Sequence, residues 1–148
     1  MRLKHILVAT DFGESSQRAE EAAAELGARL GAKVTLLHVW SVPTPTYAMA
    51  LSWPLDGIEA AARESLERAQ LRLKEKHRDI DIDIVLGAGV AWDRILDVAK
   101  ERDVDLVVVG THGRRGIPRM LLGSVAEKVV RLSPVPVLTV HSDVAEAA

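Results

Sequence analysis

The sequence contains no cysteine, which excludes a disulfide scaffold, a thiolate metal centre, an iron–sulfur cluster and a catalytic thiol. Aromatic residues are scarce, at 3%, and a base-stacking platform for single-stranded nucleic acid needs more of them. An excess of one charge is also missing: 19 Lys+Arg stand against 21 Asp+Glu, a net charge of −2. Binding to nucleic acid or to a membrane surface by bulk attraction is therefore not expected. Long hydrophobic runs are absent too. The first, Ile6-Leu7-Val8-Ala9, ends before Asp11, too short for a signal peptide, and no stretch nears the roughly 20 apolar residues of a membrane span. The expectation is a cytoplasmic protein with neither a nucleic-acid nor a membrane partner. What is present is 148 residues that are 48% hydrophobic, enough for a single domain over 1–148 with one buried core.

Two periodicities alternate along the chain. Short runs at 6–9, 34–39, 80–86, 104–109 and 135–140 read as strands, and the first, second and fourth are almost continuously apolar, as in strands covered on both faces. Between them lie helical stripes: Ala19, Ala22, Ala23, Leu26 and Leu30, closed by Gly31; Ile58, Ala62, Leu66, Ala69 and Leu73; Trp92, Ile95, Leu96 and Ala99; and Val125, Val129 and Leu132. Strands alternating with helices predict an α/β fold, a mainly parallel sheet sandwiched by helices. Residues 41–54 form the one long connection, with Pro43, Pro45 and Pro54, and residues 142–148 read as a frayed tail.

In open sheets of this kind ligands bind beyond the carboxyl ends of the strands, where the connections reverse direction. After the fourth strand comes Gly110-Thr111-His112-Gly113-Arg114-Arg115-Gly116, leading through Arg119 to a helix start at Gly123-Ser124. Closely spaced glycines let backbone approach a ligand, and a helix N-terminus with nearby arginines favours an anion, so this segment suggests phosphate. The alternative is purely local: Ser124-Val125-Ala126-Glu127 has the form of a capping box, and the arginines then form a solvated rim. The two readings are compatible, because a serine hydroxyl accepts one hydrogen bond while donating another.

Other fingerprints fail. No Gly-Lys-Ser/Thr completes a P-loop, and Gly87-Ala88-Gly89 lacks the third glycine of a dinucleotide loop and reads as a turn. Trp92 reads as core, His38 as a hydrogen-bonded core residue, and His112 as a loop residue within reach of phosphate or simply at the surface. Asp11, after the first strand, either contacts a ribose, an exocyclic amine or a metal, or closes the turn into the first helix.

The arrangement Gly110-x2-Gly113-x9-Gly123-Ser124 resembles the motif of the ATP-binding universal stress proteins. Leu7-Val8-Ala9-Thr10-Asp11-Phe12, Leu36-Leu37-His38-Val39, Leu121-Leu122-Gly123-Ser124-Val125-Ala126-Glu127 and Pro134-Val135-Pro136-Val137-Leu138 extend the likeness from Lys4 to Val140. The resemblance implies a Rossmann-like, adenine nucleotide alpha hydrolase-like fold with a five-stranded parallel sheet in the order 3-2-1-4-5. It places Asp11 and Val39 at the adenine and ribose end and Gly110 beside the ribose. Gly113, Gly123, Ser124 and Val125 would lie on the phosphates, with Mg²⁺ or Mn²⁺ carried by those phosphates and not by the protein. It further implies a homodimer through the edge run from Val135 to Val140. Gly13 departs from the family, which often has serine there, and residues 41–54 follow no strong family pattern. The function implied is a nucleotide-dependent stress-response sensor or adaptor. A slow ATPase or phosphotransfer enzyme, with Asp11 and His112 as the candidates for activating water, and a nucleotide-free dimeric scaffold are the alternatives.

Overall fold

A computed structural model describes residues 1–41, 55–112 and 122–142. Gly113, the three loop arginines, most of the proline-rich connection and most of the C-terminal tail lie outside the described residues. Among the described residues the order of elements is β1 (His5–Ala9), α1 (Glu14–Leu30), β2 (Lys33–Trp40), α2 (Leu55–Lys76), β3 (Ile82–Ala88), α3 (Ala91–Glu101), β4 (Leu106–Gly110), α4 (Ser124–Leu132) and β5 (Val137–Val140). The strands form one sheet in the order β3-β2-β1-β4-β5. Every neighbouring pair is parallel, with Val8 facing Leu36 on one side and Val108 on the other.

The continuous apolar runs are explained by the layers. Ile6, Val8, Val34 and Leu36 pack under α1 and α2 with Ala19, Ala23, Leu66 and Leu73. Leu7, Leu37, Val107 and Val109 point the other way, against Ile95, Val98, Ala126 and Val129 of α3 and α4. Successive side chains of a strand alternate between faces, so both faces must be apolar when both are covered.

Several boundaries and two helix faces differ from the expectation; on α4 the buried residues are Ala126 and Val129, while Leu132 is exposed. The third strand begins at Ile82, not at 80, and the fourth at Leu106, not at 104. Ile80 and Val104 are buried, but in the connections: the Ile80 N–H donates to His77 O and the Val104 N–H to Ala99 O, closing the ends of the preceding helices. The fifth strand begins at Val137, after the Val135 N–H is taken by the Ser133 hydroxyl. On α1 the buried face is Ser16, Ala19, Glu20, Ala23, Ala24 and Gly27, while Leu30 is 52% exposed. The apolar stripe is thus rotated by about one position: α1 approaches the sheet so closely that a Cβ on Gly27 would meet Val34 Cγ2 at 2.7 Å, and small residues together with Glu20 face it. Gly31 ends α1 as expected, with φ 66° in the left-handed region.

Candidate functional site

The carboxyl ends of β1 and β4 lie side by side, and their chains leave in opposite directions, β1 into α1 and β4 toward α4 on the other face. That divergence opens a cleft, as the fold class requires. A cavity of about 280 Å³ fills it. Its apolar wall is Leu37, Val39, Ile95 and Val109, and its polar groups come from Thr10, Asp11, Ser16, Thr111 and His112. Asp11, Val39, Gly110, Gly123, Ser124 and Val125, separated by up to 114 positions (125 − 11), all line it.

Gly110 lies where α1 meets the end of β4. A Cβ there would stand 2.5 Å from Ser15 Oγ and 2.8 Å from Ser16 N, so only glycine lets the first turn of α1 close the cleft. Ser15 ties the same corner together: its hydroxyl donates to Val140 O at 3.2 Å and accepts from the His112 N–H at 3.3 Å.

Asp11 fulfils the turn role. Its Oδ1 accepts the Gly13 N–H at 2.9 Å and the Ser16 hydroxyl at 2.8 Å. Gly13 occupies the N-cap of α1 with no side chain to cap it, and Asp11 braces the turn just before the helix by accepting the Gly13 N–H. Oδ2 has no hydrogen-bond partner among the described residues, so the carboxylate keeps one oxygen for a ligand. His38, as expected, is held in place, its Nδ1 donating to Thr10 O at 2.7 Å. Trp92 packs against the core of the α3–α4 face with Lys128 Nζ 4.6 Å from its ring, and is absent from the cavity wall.

The α4 end corrects the capping-box expectation. Gly123, not Ser124, is the N-cap, and Ser124 is the first helical residue with no capping hydrogen bond from a side chain. The first helical bond runs from the Glu127 N–H to Gly123 O at 2.9 Å. Among the described residues, the N–H groups of Ser124, Val125 and Ala126 and the Ser124 hydroxyl therefore have no partner. The Gly123 N–H is engaged, donating to Thr111 O at 2.6 Å. That bond closes the two ends of the glycine-rich segment on each other and brings the α4 N-terminus to the β4 end. A helix start with free donors and its positive dipole end on a mainly apolar cleft suits an anion attached to an apolar ring.

The His112 ring lies in the same wall. Its Nδ1 is 3.1 Å from Thr111 Oγ1, and its buried Nε2 has no hydrogen-bond partner among the described residues. Among the described residues no cluster of three His, Cys, Asp or Glu side chains is placed to hold a metal.

The model of the universal stress protein family matches residues 2–141. The chain belongs to the universal stress protein family. Among its relatives, the universal stress protein YxiE of Bacillus subtilis is 31% identical over 144 residues, covering 92% of this chain and 97% of that one. Universal stress protein UspA from Lactobacillus plantarum has a closely similar structure, with a TM-score of 0.83 at 27% identity over 95% of this chain and 99% of that one. A universal stress protein solved in complex with cAMP has a TM-score of 0.70 at 30% identity, covering 96% of this chain and 99% of that one. One from Archaeoglobus fulgidus, in complex with dAMP, scores 0.67 at 26% identity over 95% of this chain and 99% of that one.

Sequence reasoning missed part of the site. Thr10, Ser16, Leu37 and Ile95 line the cavity but look like strand or core residues. Their only signal is position: each lies at, or one helical turn from, a strand's carboxyl end or the start of α1 or α3.

Proposed function

We propose that this universal stress protein is an ATP-binding sensor or adaptor of the cytoplasm, acting through nucleotide occupancy and not through turnover. The observation that carries the reading is the meeting of Asp11, Val39 and Gly110 with the unpartnered donors of Ser124 and Val125 around one apolar cavity. Leu37, Val39 and Ile95 receive the adenine ring, and Asp11 Oδ2 accepts from its exocyclic amine or the ribose. Gly110 borders the ribose. The Ser124 hydroxyl and the N–H groups of Ser124 and Val125 donate to phosphate oxygens. Gly123 shapes the turn, its own N–H being committed to Thr111; Gly113, proposed for the phosphates too, lies outside the described residues. Adenine nucleotides in two similar structures support the base class. Mg²⁺ or Mn²⁺ is carried by the phosphates and not by a protein side chain.

The chain is further proposed to act as a homodimer joined along the edge ending at Val140. Among the described residues no helix is long and apolar enough to cross a membrane.

If ATP binds only the folded chain, a hundredfold excess over its dissociation constant adds about 2.7 kcal/mol of stability. For a domain of this size that is a rise in melting temperature of roughly 5–10 °C. No shift with millimolar ATP and Mg²⁺ would favour the nucleotide-free scaffold instead. ATP that is consumed within hours in the same mixture would favour the ATPase.

A further inference from the structure

Glu20 has no exposed surface, although it sits mid-helix on α1, where a charged residue ordinarily faces water. Its two oxygens serve different elements. Oε1 accepts from Arg72 Nη2 of α2 at 3.0 Å, and Oε2 accepts the Thr10 hydroxyl at 2.5 Å. Thr10 lines the cavity and is itself 5% exposed. With its proton given to Glu20, the same hydroxyl accepts the Phe12 N–H at 3.0 Å. Phe12 adopts φ 66°, a costly conformation for a bulky side chain, with its ring 4.5 Å from that of His38. Asp11 lies between these two fixed residues. The turn that presents Asp11 in the cavity is held on its helix side by Gly13 and Ser16, and on its strand side by one buried hydroxyl, whose orientation depends on having an acceptor for its single proton.

We infer that Glu20 is a positioning residue for base recognition: by accepting the Thr10 proton it fixes the turn that places Asp11, and so sets a preference for adenine over guanine. The inference rests on the nucleotide-binding reading above. Adenine offers an amine at the position where guanine offers a carbonyl oxygen. A carboxylate with a free oxygen accepts from the first and repels the second, but only if its position is fixed. Without an acceptor the Thr10 proton must turn elsewhere, the bond from Phe12 N–H weakens, and the strand side of the turn loosens, leaving Asp11 only its contacts with Gly13 and Ser16.

The experiment is a parallel titration of ATP and GTP into wild type, Glu20→Met, Glu20→Gln, Asp11→Ala and Thr10→Val. Glu20→Met is expected to melt below wild type, because the buried Thr10 hydroxyl loses its acceptor while Arg72, half exposed, turns to water; affinities are therefore compared at a temperature where every variant is folded. Its ATP affinity is expected to fall about tenfold while its GTP affinity holds, the scale of coupling between groups in one network. Glu20→Gln keeps the preference, because its amide oxygen still accepts the Thr10 proton while Arg72, half exposed, turns to water. Thr10→Val reproduces the loss without touching Glu20. In an Asp11→Ala background Glu20→Met has no further effect. A wild-type ATP-to-GTP ratio in Glu20→Met or Thr10→Val overturns the inference while leaving ATP binding intact. Equal loss of both nucleotides in the methionine and glutamine variants, or additivity with Asp11→Ala, also overturns it. A wild type that binds neither nucleotide sinks the nucleotide-binding reading itself and the inference with it.

Discussion

Ser124 stands one residue inside α4, with Gly123 in the capping position, and that offset changes what its hydroxyl does. A capping serine satisfies a backbone donor of its own helix; a serine at the first helical position leaves its hydroxyl and N–H facing outward. Ser124→Ala is therefore expected to change stability without nucleotide by less than about 0.5 kcal/mol, as exposed substitutions outside a cap do. Ser124→Asp is expected to be no worse, because a carboxylate in the first turn opposes the helix dipole. Melting curves of the nucleotide-free variants decide this. A loss of about 1 kcal/mol in Ser124→Ala would restore the cap. Both Gly123 and Ser124 stand out in the sequence, but which of them caps depends on backbone angles that residue type does not dictate. Glu20 was hidden for a related reason. A glutamate beside Glu21 in a helical stretch reads as solvated surface, and only the close approach of α1 to the sheet buries it.

The elements fix the site from one end of the sheet, and a polar cluster fixes the other end. Near the amino ends of the strands, the buried Thr35 donates to Asp83 Oδ1 at 2.6 Å, Arg102 to Asp83 Oδ2 at 2.8 Å, and Lys33 Nζ lies 3.4 Å away. Burial pushes the Asp83 carboxyl up, but the bonds from Thr35 and Arg102 and the charges of Lys33 and Arg102 outweigh it, so the group sits below its ordinary value. A depressed carboxylate contributes stability above its unfolded value, and that contribution is lost as pH falls through the folded one. Asp83→Asn is thus expected to melt below wild type at neutral pH, with the gap closing as the pH falls below about 4. A gap of constant size on acidification would contradict this. Glu20 works in the opposite sense: burial outweighs Thr10 and Arg72 and raises its value, so its ionisation costs stability as pH rises. The elements themselves were readable because continuous runs such as Ile6-Leu7-Val8, short, rich in β-branched residues and alternating with helical stripes, fit strands covered on both faces. Their ends were not, since Ile80 and Val104 are as buried as strand residues yet serve the helix ends before them.

For the molecule as a whole, the sheet order leaves β5 with a single neighbour. Leu138 on it is 38% exposed, an apolar side chain on a strand with one free edge among the described residues. A homodimer along β5 is expected by sedimentation at tens of micromolar, and Leu138→Lys is expected to dissociate it; a monomeric wild type would contradict this. Whether the cavity between β1 and β4 holds ATP is decided by calorimetric titration of ATP with Mg²⁺ into wild type and Ser124→Asp. Saturable binding of one ATP per chain is expected, weakened at least about tenfold, or 1.4 kcal/mol, by a carboxylate set against the phosphates of a fully folded variant. No saturable binding to wild type at millimolar ATP, or an affinity for Ser124→Asp within twofold of wild type, would contradict it.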